Sequence, residues 1–179
     1  MNSFLIIIRF EDDLTMKSLV KSLMRRRNRR LKVCLAFSPG GHYVESMQIM
    51  EALNDFDLCF ATVRAVTTKD LENVYFFFDT SEHCILRPIM LDTLISLYML
   101  LKEHVDVIIT TGAELFIPLC YLGKLLFGTK ILFIETFARI TSPSFSGRAI
   151  YPIADVFLVQ WRGLLKCYGE KARYIGRVF

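Results

Sequence analysis

Val105-Asp106-Val107-Ile108-Ile109 and Lys130-Ile131-Leu132-Phe133-Ile134 are apolar along almost their whole length, with no polar residue at every second position. A strand with one wet face alternates, so these runs predict strands covered on both faces. Around them, short β-rich runs alternate with longer segments of helical period. Strands are predicted over 32–37, 57–63, 75–78, 83–87, 105–110, 130–134, 155–160 and 172–175, and helices over 43–53, 69–73, 91–104, 114–127, 145–151 and 161–168. That alternation demands right-handed crossovers and a parallel sheet. The expected fold is α/β, a Rossmann-like doubly wound sheet over 31–179, preceded by an amphipathic basic helix within 1–30. At 179 residues the chain supplies one such domain.

The positive charge is local. Eight basic residues and no acidic one lie between Lys17 and Lys32, leaving 14 basic against 18 acidic residues elsewhere. Met16, Leu19, Val20 and Leu23 share one helical face, opposite Lys17, Ser18, Lys21 and Ser22, and Arg25, Arg26 and Arg27 follow. An apolar stripe with a basic face suits an anionic membrane surface, and these residues are the predicted membrane contacts. The protein is expected at the cytoplasmic face of a membrane, attached peripherally. The apolar run Phe4–Ile8 is too short to span, against the ~20 residues required, and the charges that follow it argue against a signal peptide. A plain basic tail, a nucleic-acid arm or a true start at Met16 are the alternatives. No aromatic residue occurs in 11–36, which argues against nucleic acid, whose single strands are bound by stacking.

Five widely spaced cysteines in mostly apolar settings read as reduced core thiols. Only His42, His83 and His104 offer imidazole, none in a cluster of acidic residues, so no metal site and no resident cofactor is expected.

In a parallel sheet ligands sit beyond the carboxyl ends of the strands, which directs attention to three strand-to-helix loops. The first, Ser38-Pro39-Gly40-Gly41-His42, opens a helix, whose first N–H groups and dipole favour an anion, although a Gly-Gly turn alone is also mere turn geometry. It has neither the dinucleotide fingerprint nor the P-loop spacing. The second holds Thr111 and Gly112, and Glu114 beyond them is a helix-start residue. The third leaves a buried strand with Glu135 and Arg139, either a salt bridge closing the loop or a pair that meets a ligand. Asp155, Gln160 and Trp161 bracket a later strand.

The strand followed by S-P-G-G-H and Glu45, the D-V-I-I-T-T-G strand end with Pro118 beyond it, and the later I-E-T-F-A-R-I, S-F-S-G-R-A-I-Y-P-I-A-D, V-Q-W and Y-I-G-R segments resemble the asparagine-linked glycosylation fourteen-like family of oligosaccharide-biosynthesis proteins, in particular its PssD-type prokaryotic branch. The likeness covers roughly 32–179. It implies the N-terminal half of a MurG-like GT-B glycosyltransferase, an enzyme subunit inactive alone. Its partner would be a complementary chain of the C-terminal-half kind, which binds most of the UDP-sugar donor. The acceptor would be a polyprenyl-diphosphate-linked saccharide. On this likeness His42 is the candidate catalytic residue, for acid/base work or phosphate contact, with a helix-capping histidine as the alternative, and Ser38, Gly40, Gly41, Thr111, Gly112, Glu135 and Arg139 are candidate acceptor or phosphate contacts. Pro39 departs from the family's usual Ser or Gly and removes one N–H from the turn. The rival expectation is a non-catalytic scaffold that recruits and stabilises the catalytic chain.

Overall fold

A computed structural model describes residues 16–23, 30–78 and 86–176. Seven strands form one sheet: β1 Lys32–Ala36, β2 Asp57–Val63, β3 Val74–Phe77, β4 Val107–Thr110, β5 Lys130–Ile134, β6 Val156–Val159 and β7 Ala172–Tyr174. Their order is β3-β2-β1-β4-β5-β6-β7 and every pairing is parallel. Every residue of β4 is buried, as its unbroken apolar run requires.

The helices are α1 Met16–Leu23, α2 Gly41–Met50, α3 Leu86–Glu103, α4 Ile117–Leu126, α5 Phe145–Ile150 and α6 Leu165–Tyr168. One core layer joins Met99 and Leu100 of α3, Leu119 and Cys120 of α4 and Tyr168 of α6 to one sheet face. The second layer sets Ile49 of α2 and Met16, Leu19 and Val20 of α1 against Leu35, Ile109, Leu132 and Leu158 on the other.

That second layer corrects the expectation for α1. Met16 and Val20 are fully buried and Leu19 nearly so, so their apolar face is not available to lipid. The physical reason is that four helices cover the first face and only α2 covers the second, which leaves apolar strand residues for α1 to bury. Each such side chain contributes about 1.5–3 kcal/mol. Lys17 pairs with Asp55 beside the layer. Arg25, Arg26 and Arg27, and the side chain of Leu23, lie outside the described residues.

Two other expectations change. Leu86 and Arg87, expected to end a strand over 83–87, begin α3, whose first turn accommodates Pro88 because the ring lacks only a donor that no helix start uses. Residues 83–85 lie outside the described residues. The helix expected over 69–73 is absent. A single 3-10 turn at Val66–Thr68 stands just before it, closed by Thr68, whose hydroxyl donates to Val63 O at 3.0 Å. Asn73 then takes a left-handed φ of 53° to enter β3.

Cys34, Cys59 and Cys120 are buried free thiols, and Cys167 is exposed. Cys34 lies opposite Cys59 in the β1–β2 register, and its contact with Cys59, added to burial, pushes the Cys34 thiol well up. Among the described residues no helix is long and apolar enough to cross a membrane.

At the amino end of β6, Asp155 accepts from Ile131 N at 2.9 Å, Lys124 Nζ at 2.7 Å and Lys130 Nζ at 3.0 Å. Burial opposes its charge, but these three donors outweigh burial and hold the carboxyl below its usual range. A depressed carboxyl stabilises the fold above the unfolded-state value of about 4 and loses that contribution as pH falls through the lower folded-state value. Asp155→Asn is therefore expected to cost about 1.5–3 kcal/mol at neutral pH. The deficit should shrink as urea midpoints are followed down through about pH 4.

Candidate functional site at the switch point of the sheet

Strand order reverses between β1 and β4, so the loops that leave these two strands diverge and open a crevice at the carboxyl edge of the sheet. The first loop carries Ser38 to His42. Gly40 caps α2 with φ 92° and no side chain closes the helix start. A Cβ at Gly40 or Gly41 would meet nothing within 4 Å, so the backbone faces open space there. Ser38 is half-buried and Gly40 and Gly41 are exposed. The helix therefore begins two residues earlier than its periodicity indicated, with unclaimed N–H groups at an accessible end.

His42, in the first turn, keeps 26% side-chain exposure while its Nδ1 atom is buried, which turns the opposite ring edge, with Nε2, outward. Gly112 flanks the ring at a φ of 109°, and a Cβ there would lie 3.8 Å from His42 Cε1 and 3.4 Å from both Phe133 Cζ and Ser146 Oγ. Those are ordinary contact distances, so it is the positive φ of the turn, and not lack of room beside the imidazole, that calls for glycine. Thr111 is fully buried, and its hydroxyl donates to His42 O and meets Ser46 Oγ, both at 3.4 Å. It ties the two loops together.

The third loop closes the group. Ser146 Oγ donates to Gly112 O in a short contact. Glu135, expected at a ligand, is fully buried: Oε1 accepts from Thr136 N at 3.2 Å, and Oε2 accepts from Ser144 N at 3.2 Å, Ser144 Oγ at 3.1 Å and Tyr168 Oη. Burial, and donation of its proton to Glu135, hold the Tyr168 phenol well above its usual range, so it remains a donor. Arg139 is exposed and pairs with no carboxylate among the described residues, so of the two readings of Glu135 and Arg139 the loop-closing salt bridge does not form. Phe137 and Ile140 of the same loop, and Phe145 where α5 begins, are also exposed. Trp161 steadies this loop by donating from Nε1 to Phe137 O at 2.6 Å.

The structure thus brings the three loops to one place and divides their residues. Ser38, Gly40, Gly41, His42 and Arg139 face solvent, whereas Thr111, Gly112 and Glu135 brace them. Sequence reasoning gave no role at the site to Glu45, Ser146, Gly147 or Gln160, although they stand in the segments it singled out, and it missed Tyr168. The spacing of Glu45, one helical turn after His42, was the only signal among them that local periodicity could supply.

A family model described as oligosaccharide biosynthesis protein Alg14 like matches residues 79–178. The UDP-N-acetylglucosamine transferase subunit alg14 of Schizosaccharomyces pombe is 42% identical over 77 residues, which are 41% of this chain and 36% of that one. The human UDP-N-acetylglucosamine transferase subunit ALG14 is 32% identical over 78 residues, again 41% and 36% of the two chains. These matches span little more than a third of the relatives' length. Among solved structures, MurG of Acinetobacter baumannii superposes with a TM-score of 0.67 at 14% identity, over 80% of this chain and 45% of that one. A UDP-GlcNAc 2-epimerase of Methanocaldococcus jannaschii gives 0.63 at 14% identity, over 82% and 46%. Both likenesses establish the fold, the Rossmann-like half of a GT-B architecture. With more than half of its residues inside the family match, the chain belongs to the Alg14-like family of oligosaccharide biosynthesis proteins.

Proposed function

We propose that this protein is the acceptor-binding subunit of a two-chain glycosyltransferase, which moves N-acetylglucosamine or a related sugar from its UDP donor to a polyprenyl-diphosphate-linked saccharide. The observation that carries the reading is the open His42 edge beside the unobstructed Gly40–Gly41 backbone at the switch point. It joins a proton acceptor to anion-binding N–H groups, the two functions that an acceptor hydroxyl attached to a diphosphate requires. The names of the relatives support the donor and the subunit character.

In this scheme His42 Nε2 takes the proton of the acceptor hydroxyl as its oxygen attacks the anomeric carbon. UDP departs from the opposite face toward the partner chain, and the helix start and Arg139 hold acceptor phosphate or acidic sugar groups. A single Rossmann-like unit provides one wall of such a cleft. The partner supplies the other and most of the donor site.

Peripheral attachment to an anionic membrane belongs to the same reading. With the apolar face of α1 used by the core, its support is the basic run from Lys17 to Lys32 and an exposed apolar stripe on α3 at Met90, Leu94, Tyr98 and Leu101.

Transfer of radiolabelled N-acetylglucosamine from UDP to a short polyprenyl-diphosphate saccharide tests the proposal. Turnover is expected only when this chain and a complementary C-terminal-half chain are mixed. Turnover by this chain alone, or by the complementary chain without it, would overturn the two-chain reading.

A further inference from the structure

We propose that Glu45 is a positioning residue that fixes the His42 ring in the Nδ1–H tautomer and so leaves the Nε2 lone pair facing the cleft. Its catalytic meaning rests on the role given to His42 above; the tautomer itself does not.

Glu45 lies three residues after His42 on α2 and is fully buried. Its two carboxylate oxygens have different surroundings. Oε1 accepts three donors from the ends of β5 and β6: Phe137 N at 2.6 Å, Thr136 Oγ1 at 3.1 Å and Gln160 Nε2 at 3.2 Å. Oε2 is buried without a hydrogen-bond partner. His42 Nδ1 is also buried without one, and the two atoms face each other at 3.6 Å. Either orphan alone would carry a desolvation penalty. A proton on Nδ1 satisfies both, and a small rotation of the ring closes the gap to a hydrogen bond.

The neighbouring elements make this the favoured arrangement. β5 and β6 offer Glu45 only neutral donors, and the loop after β4 contributes the neutral Thr111 and Gly112. Among the described residues, His42 is the one basic side chain within ion-pair distance of Glu45. The three bonds on Oε1 also prevent the carboxylate from turning away. With Nδ1–H held by Glu45, the basic lone pair of the neutral ring is on Nε2, at the open edge, where an acceptor hydroxyl would present its proton.

The decisive variant is Glu45→Gln, which keeps the shape. The three donors at Oε1 require an acceptor, so the amide oxygen takes that place and the amide NH2 takes the place of Oε2. It then donates to His42 Nδ1 and forces the proton onto Nε2. The histidine ring nitrogens of the 15N-labelled chain, observed through their long-range couplings to ring protons across a pH series, report the tautomer of the neutral ring. His42→Asn identifies the resonance.

The wild type is expected as Nδ1–H and Glu45→Gln as Nε2–H. In the two-chain transferase assay, kcat should fall on the order of 10²-fold or more with KM little changed, because a wrong tautomer removes the base without removing binding. A wild-type ring in the Nε2–H form overturns the proposal without reference to any variant, as does a Glu45→Gln spectrum with the wild-type tautomer. If the tautomer inverts as expected but the wild type shows no transfer with its complementary chain, the proposed function falls and the pairing of Glu45 with His42 stands.

Discussion

Replacement of Gly147 by alanine is expected to cost about 4–6 kcal/mol, a combination of overpacking and disruption of a buried carboxylate. Gly147 lies in the first turn of α5, and its N–H donates to the capping Ser144 Oγ at 2.8 Å. An added Cβ would stand 2.5 Å from Glu135 Oε2, 2.8 Å from Ser144 Oγ and closer still to Tyr168 Oη. These are one hydrogen-bonded group, since Glu135 Oε2 accepts from both hydroxyls. None is a loose surface tip: Glu135 is fully buried, and Ser144 and Tyr168 are each less than a tenth exposed. The methyl must therefore separate a buried carboxylate from its donors. The cost is comparable to the whole stability of a small domain, about 5–15 kcal/mol. Urea denaturation of the purified chain checks it, and a variant within about 1 kcal/mol of wild type would refute the clash. Because Tyr168 Oη is the nearest obstacle, Gly147→Ala combined with Tyr168→Phe should be more stable than Gly147→Ala alone, even though Tyr168→Phe by itself removes a donor from Glu135.

The same cluster shows what could be read from sequence. β2 and β5 fall on their predicted bounds because an unbroken apolar run between turn residues is a local signal, and the parallel order follows from the alternation. The loops at the switch point were equally legible, since their place depends on topology and not on side-chain detail. The division of labour within them was not. Whether Glu135 meets a ligand or braces a turn depends on Tyr168, 33 residues later, whose phenol reaches back across the sheet edge. No periodicity encodes that contact. The reading of α1 failed for a related reason: a stripe of Met16, Leu19 and Val20 is the same sequence whether its partner is lipid or a sheet face left uncovered by the crossovers. Only the layer count, one helix against four, distinguishes the two.

His42→Ala is expected to lower kcat of the two-chain transferase by about 10²–10⁴-fold, the usual worth of a positioned general base. Alanine alone would be ambiguous, because it leaves Glu45 Oε2 buried with nothing to face it, and that orphan costs about 1–3 kcal/mol. His42→Asn removes the ambiguity. The Asn side-chain amide can place an N–H where Nδ1 stands, which preserves a donor toward Glu45, but it has no atom in the position of Nε2 and no basic lone pair. If His42 is the base, both variants lose turnover to a similar extent, while Asn retains more stability than Ala and both still bind the complementary chain. If the chain is a scaffold that contributes no reacting group, His42→Asn turns over at the wild-type rate with partner binding intact. A loss confined to KM would assign His42 to acceptor binding at the helix start and leave proton removal to the partner. The three outcomes are separable because the structure gives the two ring nitrogens different neighbours, one a buried carboxylate and the other the open crevice.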